Sequence, residues 1–279
     1  MIRYENTTVF NVGAQTVVNT VNCVGVMGAG LALEFKLRFP EMYEDYVEKC
    51  SKKEVVIGKP YIYKGADPGI MNFPTKNHWK YPSKLKWLQQ GLEYFVKNYK
   101  EYDVKSIAFP RLGCERGGLN WHEVKDLMEE YLKDISIDVF ICLDNEYNAT
   151  RIEGLMVSMI NERQNNFWLY ELKIRDDIAK NIIESLPVNR FREVGQIEGV
   201  GKKTYEELFK LLYNRALKMP NLIKQNQIAE SVQFLSQGPT LNIEKSDNRI
   251  EKIKRKENEK GKLKQMKLIT KVSHFNLIC

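Results

Sequence analysis

The first 150 residues alternate between short apolar runs rich in β-formers and longer amphipathic stretches. VVNTV (17–21), PYIYKG (60–65), GIMNFPT (69–75), SIAFPRL (106–112) and IDVFICL (137–143) are each bounded by turn residues and read as strands. Between them lie helical patterns over 30–38, 41–50 after Pro40, 83–99 and 121–133. Ser83, followed by KLKWLQQGLEYFVKNY, reads as the cap of an amphipathic helix. Such alternation predicts an α/β sheet covered by helices, with ligands at the carboxyl ends of its strands.

The pattern changes beyond about residue 165, where DDIAKNIIESL (176–186) and KKTYEELFKLLYNRAL (202–217) predict helices without intervening strands. A boundary is expected near 150–170 and a second loosening at SQGPT (236–240). Met156, Met159, Trp168 and Leu169 are expected in a helical core. No internal repeat interrupts this division.

Composition narrows the picture. A 43% apolar content across 279 residues supports a sizeable core. There is no run of 18 apolar residues for a membrane helix, and the first residues, MIRYENTTVF, lack the pattern of a signal peptide. Cys23, Cys50, Cys114, Cys142 and Cys279 are widely spaced without a C-x-x-C pair, as in a cytoplasmic protein with reduced thiols. Only three scattered histidines accompany them, so no metal site is expected. The charge is uneven: 11 Lys/Arg against 5 Asp/Glu from Thr240 to Cys279 supply +6 of the total +7. That basic composition in 236–279 suits a flexible tail, either simply solvated or holding a polyanion.

Three segments carry chemistry. NTVNCVGVMGAGLA (19–32) ends a strand and begins a helix through Gly25, Gly28 and Gly30, so backbone N–H groups and a helix N-terminus can face an anion. It matches neither G-x-G-x-x-G nor G-x-x-x-x-G-K-[ST], and an unliganded glycine turn fits the glycines alone equally well. IAFPRLGCERGGLNW (107–121) repeats the arrangement with Gly113, Gly117 and Gly118, beside Arg111 and Arg116. In NFPTKNHWKYPSK (72–84), Lys76 closes a buried strand, as a counter-ion or, if desolvated, as a nucleophile; Lys80, Lys84 and Lys86 read as surface charges.

VNTVNCVGVMGAGLALEFKLRFP (18–40), NFPTK (72–76) and FPRLGCERGGLNW (109–121), in that order, resemble the macrodomain family. Within it they are similar to the terminal ADP-ribose glycohydrolases and the DNA ADP-ribosyl glycohydrolase antitoxins (DarG type). The resemblance covers residues 1–150 and implies a three-layer α/β/α sandwich with a mixed sheet. It further implies that Asn22 holds the distal ribose, that Gly28, Ala29 and Gly30 surround it, and that Gly113, Cys114, Gly117 and Gly118, with Arg111, line the diphosphate. Lys76 matches a catalytic lysine whose neutral amine attacks the ring-opened anomeric carbon, without a cofactor. The residue many macrodomains set against adenine falls at Thr7-Thr8, where Thr8 offers one hydrogen bond. Gly117 stands where the terminal glycohydrolases carry an acidic partner, as in the DNA-directed branch, which implies a nucleic-acid acceptor over a protein glutamate.

In 151–235, QIEGVGKKTYEEL (196–208) has the form of a helix-hairpin-helix, in which Gly199, Gly201, Lys202 and Lys203 would meet a nucleic-acid phosphate. An ordinary glycine hairpin between packed helices is the alternative. The resemblance also implies a cognate ADP-ribosyltransferase toxin as partner, although 151–279 contain no toxin-capturing motif. The expected activity is removal of ADP-ribose from a modified acceptor. A non-catalytic ADP-ribose reader tethered to nucleic acid and an ADP-ribose 1″-phosphate phosphatase are the alternatives.

Overall fold

The computed structural model describes residues 1–162 and 166–219, so the tail expected at 236–279 lies outside the described residues. Six strands form one sheet: β1 (Ile2–Glu5), β2 (Thr16–Asn22), β3 (Tyr61–Tyr63), β4 (Gly69–Lys76), β5 (Ser106–Pro110) and β6 (Asp138–Cys142). Their spatial order is β1-β6-β5-β2-β4-β3. Only the edge strand β3 runs antiparallel to its neighbour, which makes the sheet mixed, as expected.

Period-2 side-chain alternation explains the layers. Val18, Met71 and Phe73 face one core with Leu88, Leu92 and Phe95 of α3 (Leu85–Asn98) and Val124 and Met128 of α4 (Trp121–Leu132). Their neighbours Val17, Val21 and Ile70 face the other, with Phe35 of α1 (Gly30–Arg38) and Met42 and Tyr46 of α2 (Pro40–Ser51). At Gly91 a Cβ would lie 2.3 Å from the Phe73 ring, so α3 sits on β4 only because that position has no side chain.

The strands and helices expected in 1–150 form, with one correction. Ser83 does not cap α3: the helix begins at Leu85 with Lys84 as its N-cap residue. Ser83 is buried instead, its N–H donating to the carbonyl of Gly117 at 2.9 Å. The strand β1 was not expected, because Arg3 and Tyr4 are exposed in a four-residue edge strand that buries too little to leave a pattern.

The remaining described residues form α5 (Arg151–Asn161), α6 (Phe167–Leu172), α7 (Asp176–Glu184), a 3-10 turn (Phe191–Gln196) and α8 (Lys202–Leu217). Met156 and Trp168 are fully buried among them, with Met159 and Leu169 packed alongside. This third core also takes in Leu33 and Leu37, so α1 is covered on both sides. Buried Arg190 pairs with two partly buried acids, Glu153 at 2.9 Å and Asp144 at 2.8 Å, fastening the helices to the segment after β6. No helix among the described residues is long and apolar enough to cross a membrane.

Candidate functional site

The chain passes from β2 to β4 on one side and later to β5 on the other, so the strand order reverses at β2. A crevice forms at such a reversal, outside the carboxyl ends of the strands. The first glycine segment follows β2, Lys76 ends β4, and the second glycine segment follows β5. Three segments far apart in sequence therefore meet at one edge of the sheet.

Asn22 and Lys76 are register partners on adjacent parallel strands, reached through an irregularity after Val21. The buried Asn22 side chain braces the glycine loop. Its Oδ1 accepts from the N–H of Val24 at 3.0 Å and from the Tyr46 hydroxyl at 3.1 Å, while Nδ2 donates to the Val26 carbonyl at 2.5 Å. Asn19 serves the sheet instead: its Nδ2 donates to Asn72 Oδ1 at 2.9 Å, and Asn72 in turn donates to the Tyr61 hydroxyl at 3.1 Å. The two asparagines of the first segment thus have separate duties, one in the core and one in the loop.

Gly30, at φ +57°, starts α1 in a conformation that side chains rarely adopt. A Cβ there would lie 3.9 Å from the Arg116 side chain, so the two glycine loops approach each other. Gly28 and Ala29 precede it at the lip of the first loop. In the second loop, a Cβ on Gly117 would come within 2.1 Å of the Gly113 carbonyl oxygen. The N–H groups of Gly118 and Leu119 donate to Cys114 and Gly113 carbonyls, each at 3.1 Å, which winds the loop tightly. The buried Ser83 Oγ faces this loop and has no hydrogen-bond partner among the described residues.

Lys76 Nζ donates to the carbonyl of Arg116, joining β4 to the second loop. Burial lowers its pKa, and the nearby Arg116 guanidinium lowers it further. Both causes favour the neutral amine, the form able to act as a nucleophile. Cys114 is a poor nucleophile by comparison, because burial pushes its thiol up to about 11. Arg111 is held in an ion pair with Glu115 at 3.1 Å. Thr8 is buried on the loop after β1, at the same edge of the sheet, and its carbonyl accepts from the Asn11 N–H at 3.1 Å.

Gly199 has φ +82° and Gly201 is the N-cap residue of α8. The two lysines that follow diverge. Lys203 is largely exposed beside Glu207, whereas the Lys202 ammonium lies 3.9 Å from where a Cβ on Gly28 would stand. Lys202 therefore adjoins the first glycine loop, a placement that no local pattern in 196–208 reveals. Among the described residues no group of His, Cys, Asp or Glu is arranged to hold a metal ion.

The Macro domain family matches residues 18–128, the span that holds both glycine loops and Lys76. Residues 18–128 are a macrodomain. The DNA ADP-ribosyl glycohydrolase of Thermus aquaticus is 42% identical to the chain over 146 residues, 50% of this chain and 41% of that protein. The DNA ADP-ribosyl glycohydrolase of Mycobacterium tuberculosis is 37% identical over 168 residues, 57% of this chain and 47% of that protein. The chain thus spans less than half the length of these curated relatives. Among solved structures, Thermosipho africanus DarTG in complex with ADP-ribose is similar at 40% identity and a TM-score of 0.50, covering 51% of this chain and 41% of that one. In this macrodomain the two glycine loops flank the end of β4, where Lys76 stands.

Proposed function

We propose that this macrodomain is an ADP-ribosyl glycohydrolase that frees ADP-ribose from a modified nucleic-acid base, with Lys76 as nucleophile. The observation that carries the reading is the register pairing of Asn22 with Lys76 between two closely approaching glycine loops. The similarity to DNA ADP-ribosyl glycohydrolases supports the substrate class. The loops at 28–30 and 113–118 would hold the distal ribose and diphosphate, with Arg111 adding charge and Thr8 offering a hydrogen bond to the adenine. Asn22 keeps the first loop in shape and can turn its second amide hydrogen to the ribose.

The neutral Lys76 amine attacks the anomeric carbon of the ring-opened distal ribose. A carbon–nitrogen bond forms, the bond to the acceptor breaks, and the acceptor leaves with a proton. Water then hydrolyses the lysyl adduct, returning ADP-ribose and the amine. Gly199, Gly201, Lys202 and Lys203 supply a backbone and cationic surface for phosphates of the acceptor strand, with Lys202 nearest the ribose end. A cognate ADP-ribosyltransferase toxin is the corresponding source of the modification.

The test is release of ADP-ribose from an ADP-ribosylated single-stranded oligonucleotide by the wild type and Lys76→Ala. Turnover should fall by at least about a thousandfold in the variant, the loss expected of a missing nucleophile, while ADP-ribose affinity stays within a few-fold. Equal release by both proteins would remove Lys76 from the chemistry. Binding of ADP-ribose with no release by the wild type would make the protein a reader.

A further inference from the structure

We propose that the turn immediately after Lys76, residues 77–81, is a stacking platform for unpaired bases of the acceptor strand beside the modified one. The inference rests on the nucleic-acid acceptor of the reading above and names how that acceptor is held. Trp79 is 48% exposed and Tyr81 64% exposed, large rings that a folded chain ordinarily hides. They are not loose: His78 stacks on Trp79 at 5.6 Å with 26° between the planes, and Tyr81 lies 5.6 Å from His78. The Tyr81 N–H donates to the His78 carbonyl at 3.1 Å, closing the turn. The Cys23 N–H donates to the Asn77 carbonyl at 3.3 Å, so the rings are tied to the start of the first glycine loop.

The charge around these rings fits a polyanion. Residues 68–92 contain Lys76, Lys80, Lys84 and Lys86 and no Asp or Glu. The Lys80 ammonium lies 5.2 Å from the centre of the Trp79 ring and Lys84 lies 5.0 Å from that of Trp87. Cations interleaved with exposed rings recognise single strands: the phosphates follow the lysines while bases stack on the rings, whatever their sequence. A glycosidic bond on a base becomes accessible only once that base has left the helical stack, which exposes its neighbours to the same rings. Lys80 and Lys84 thus have a place in substrate binding rather than being ordinary surface charges.

The experiment measures binding of a fluorescein-labelled, unmodified single-stranded DNA oligonucleotide of mixed sequence to the full chain, comparing wild type, Trp79→Ala, Trp79→Phe and Tyr81→Ala. Trp79→Ala should weaken binding about five- to a hundredfold, Trp79→Phe should recover most of it, and ADP-ribose affinity should stay constant in all four. Undiminished affinity in both alanine variants would overturn the platform, as would equal rates of ADP-ribose release from a modified strand by Trp79→Ala and wild type. That last result would leave the glycohydrolase reading intact. Failure of the wild type to release ADP-ribose would instead strike the glycohydrolase reading, and the binding series would still decide the platform.

Discussion

Lys76 has the least ordinary environment of the candidate residues. An amine that is both partly desolvated and beside a guanidinium resists protonation, so its reactive fraction at a given pH depends on Arg116 as well as on burial. Arg116→Met removes the charge but keeps the backbone carbonyl that receives the Lys76 hydrogen bond. On the proposed mechanism the neutral amine reacts, so rate rises with pH through the Lys76 pKa; removing the cation raises that pKa and moves the rise to higher pH. A kcat–pH profile should show the variant slower on the acid side and equal to wild type on the plateau. An unmoved profile would mean that Arg116 does not set the charge state. Stability follows the same sign. Protons bind the unfolded chain more readily than folded Lys76, so its penalty is full below the folded pKa and fades as pH rises toward the unfolded value.

The elements of the first 150 residues were largely legible because each strand is an apolar run ended by turn residues and each helix repeats its apolar face. Glycine spacing was legible for the same reason, being local, whereas the residues alone left Lys76 as a counter-ion or a nucleophile and only the family resemblance singled it out. Ser83 was not: its residue type suits a cap, and only the second glycine loop packing against it explains its burial. Nor was the placement of Lys202, because nothing in 196–208 specifies that α8 begins beside Gly28. The element that joins these facts is α1. Phe35 faces the sheet core, Leu33 and Leu37 face the helical core, and Lys36 pairs with Glu206 of α8 at 3.0 Å. Leu37→Ala should therefore cost about 2–4 kcal/mol, read from urea unfolding, and should loosen the glycine loop that leads into α1. A cost below about 0.5 kcal/mol would show that α1 does not need its outer cover.

Across the described molecule, residues 1–219 fall within a single compact unit, so the helices after 150 are not suspended from the macrodomain. Buried Arg190 between Glu153 and Asp144, and buried Arg38 against Glu34 and beneath the rings of Phe10 and Tyr213, hold the helical layer in one arrangement. Removing the acids is costly because each abandoned arginine keeps its charge in a poor solvent. The double cover of α1 then makes ligand binding a mechanical event for more than the crevice. If ADP-ribose steadies the N-terminus of α1, the restraint reaches α8 through Leu33, Leu37 and the Lys36–Glu206 pair, and the two regions share one thermodynamic coupling. Amide hydrogen exchange should slow in 202–217 when ADP-ribose is added, although that helix lies outside the 18–128 match to the family. Slowing confined to the glycine loops would mean that the helical layer is a passive wall. Slowing in both would make it a sensor of occupancy.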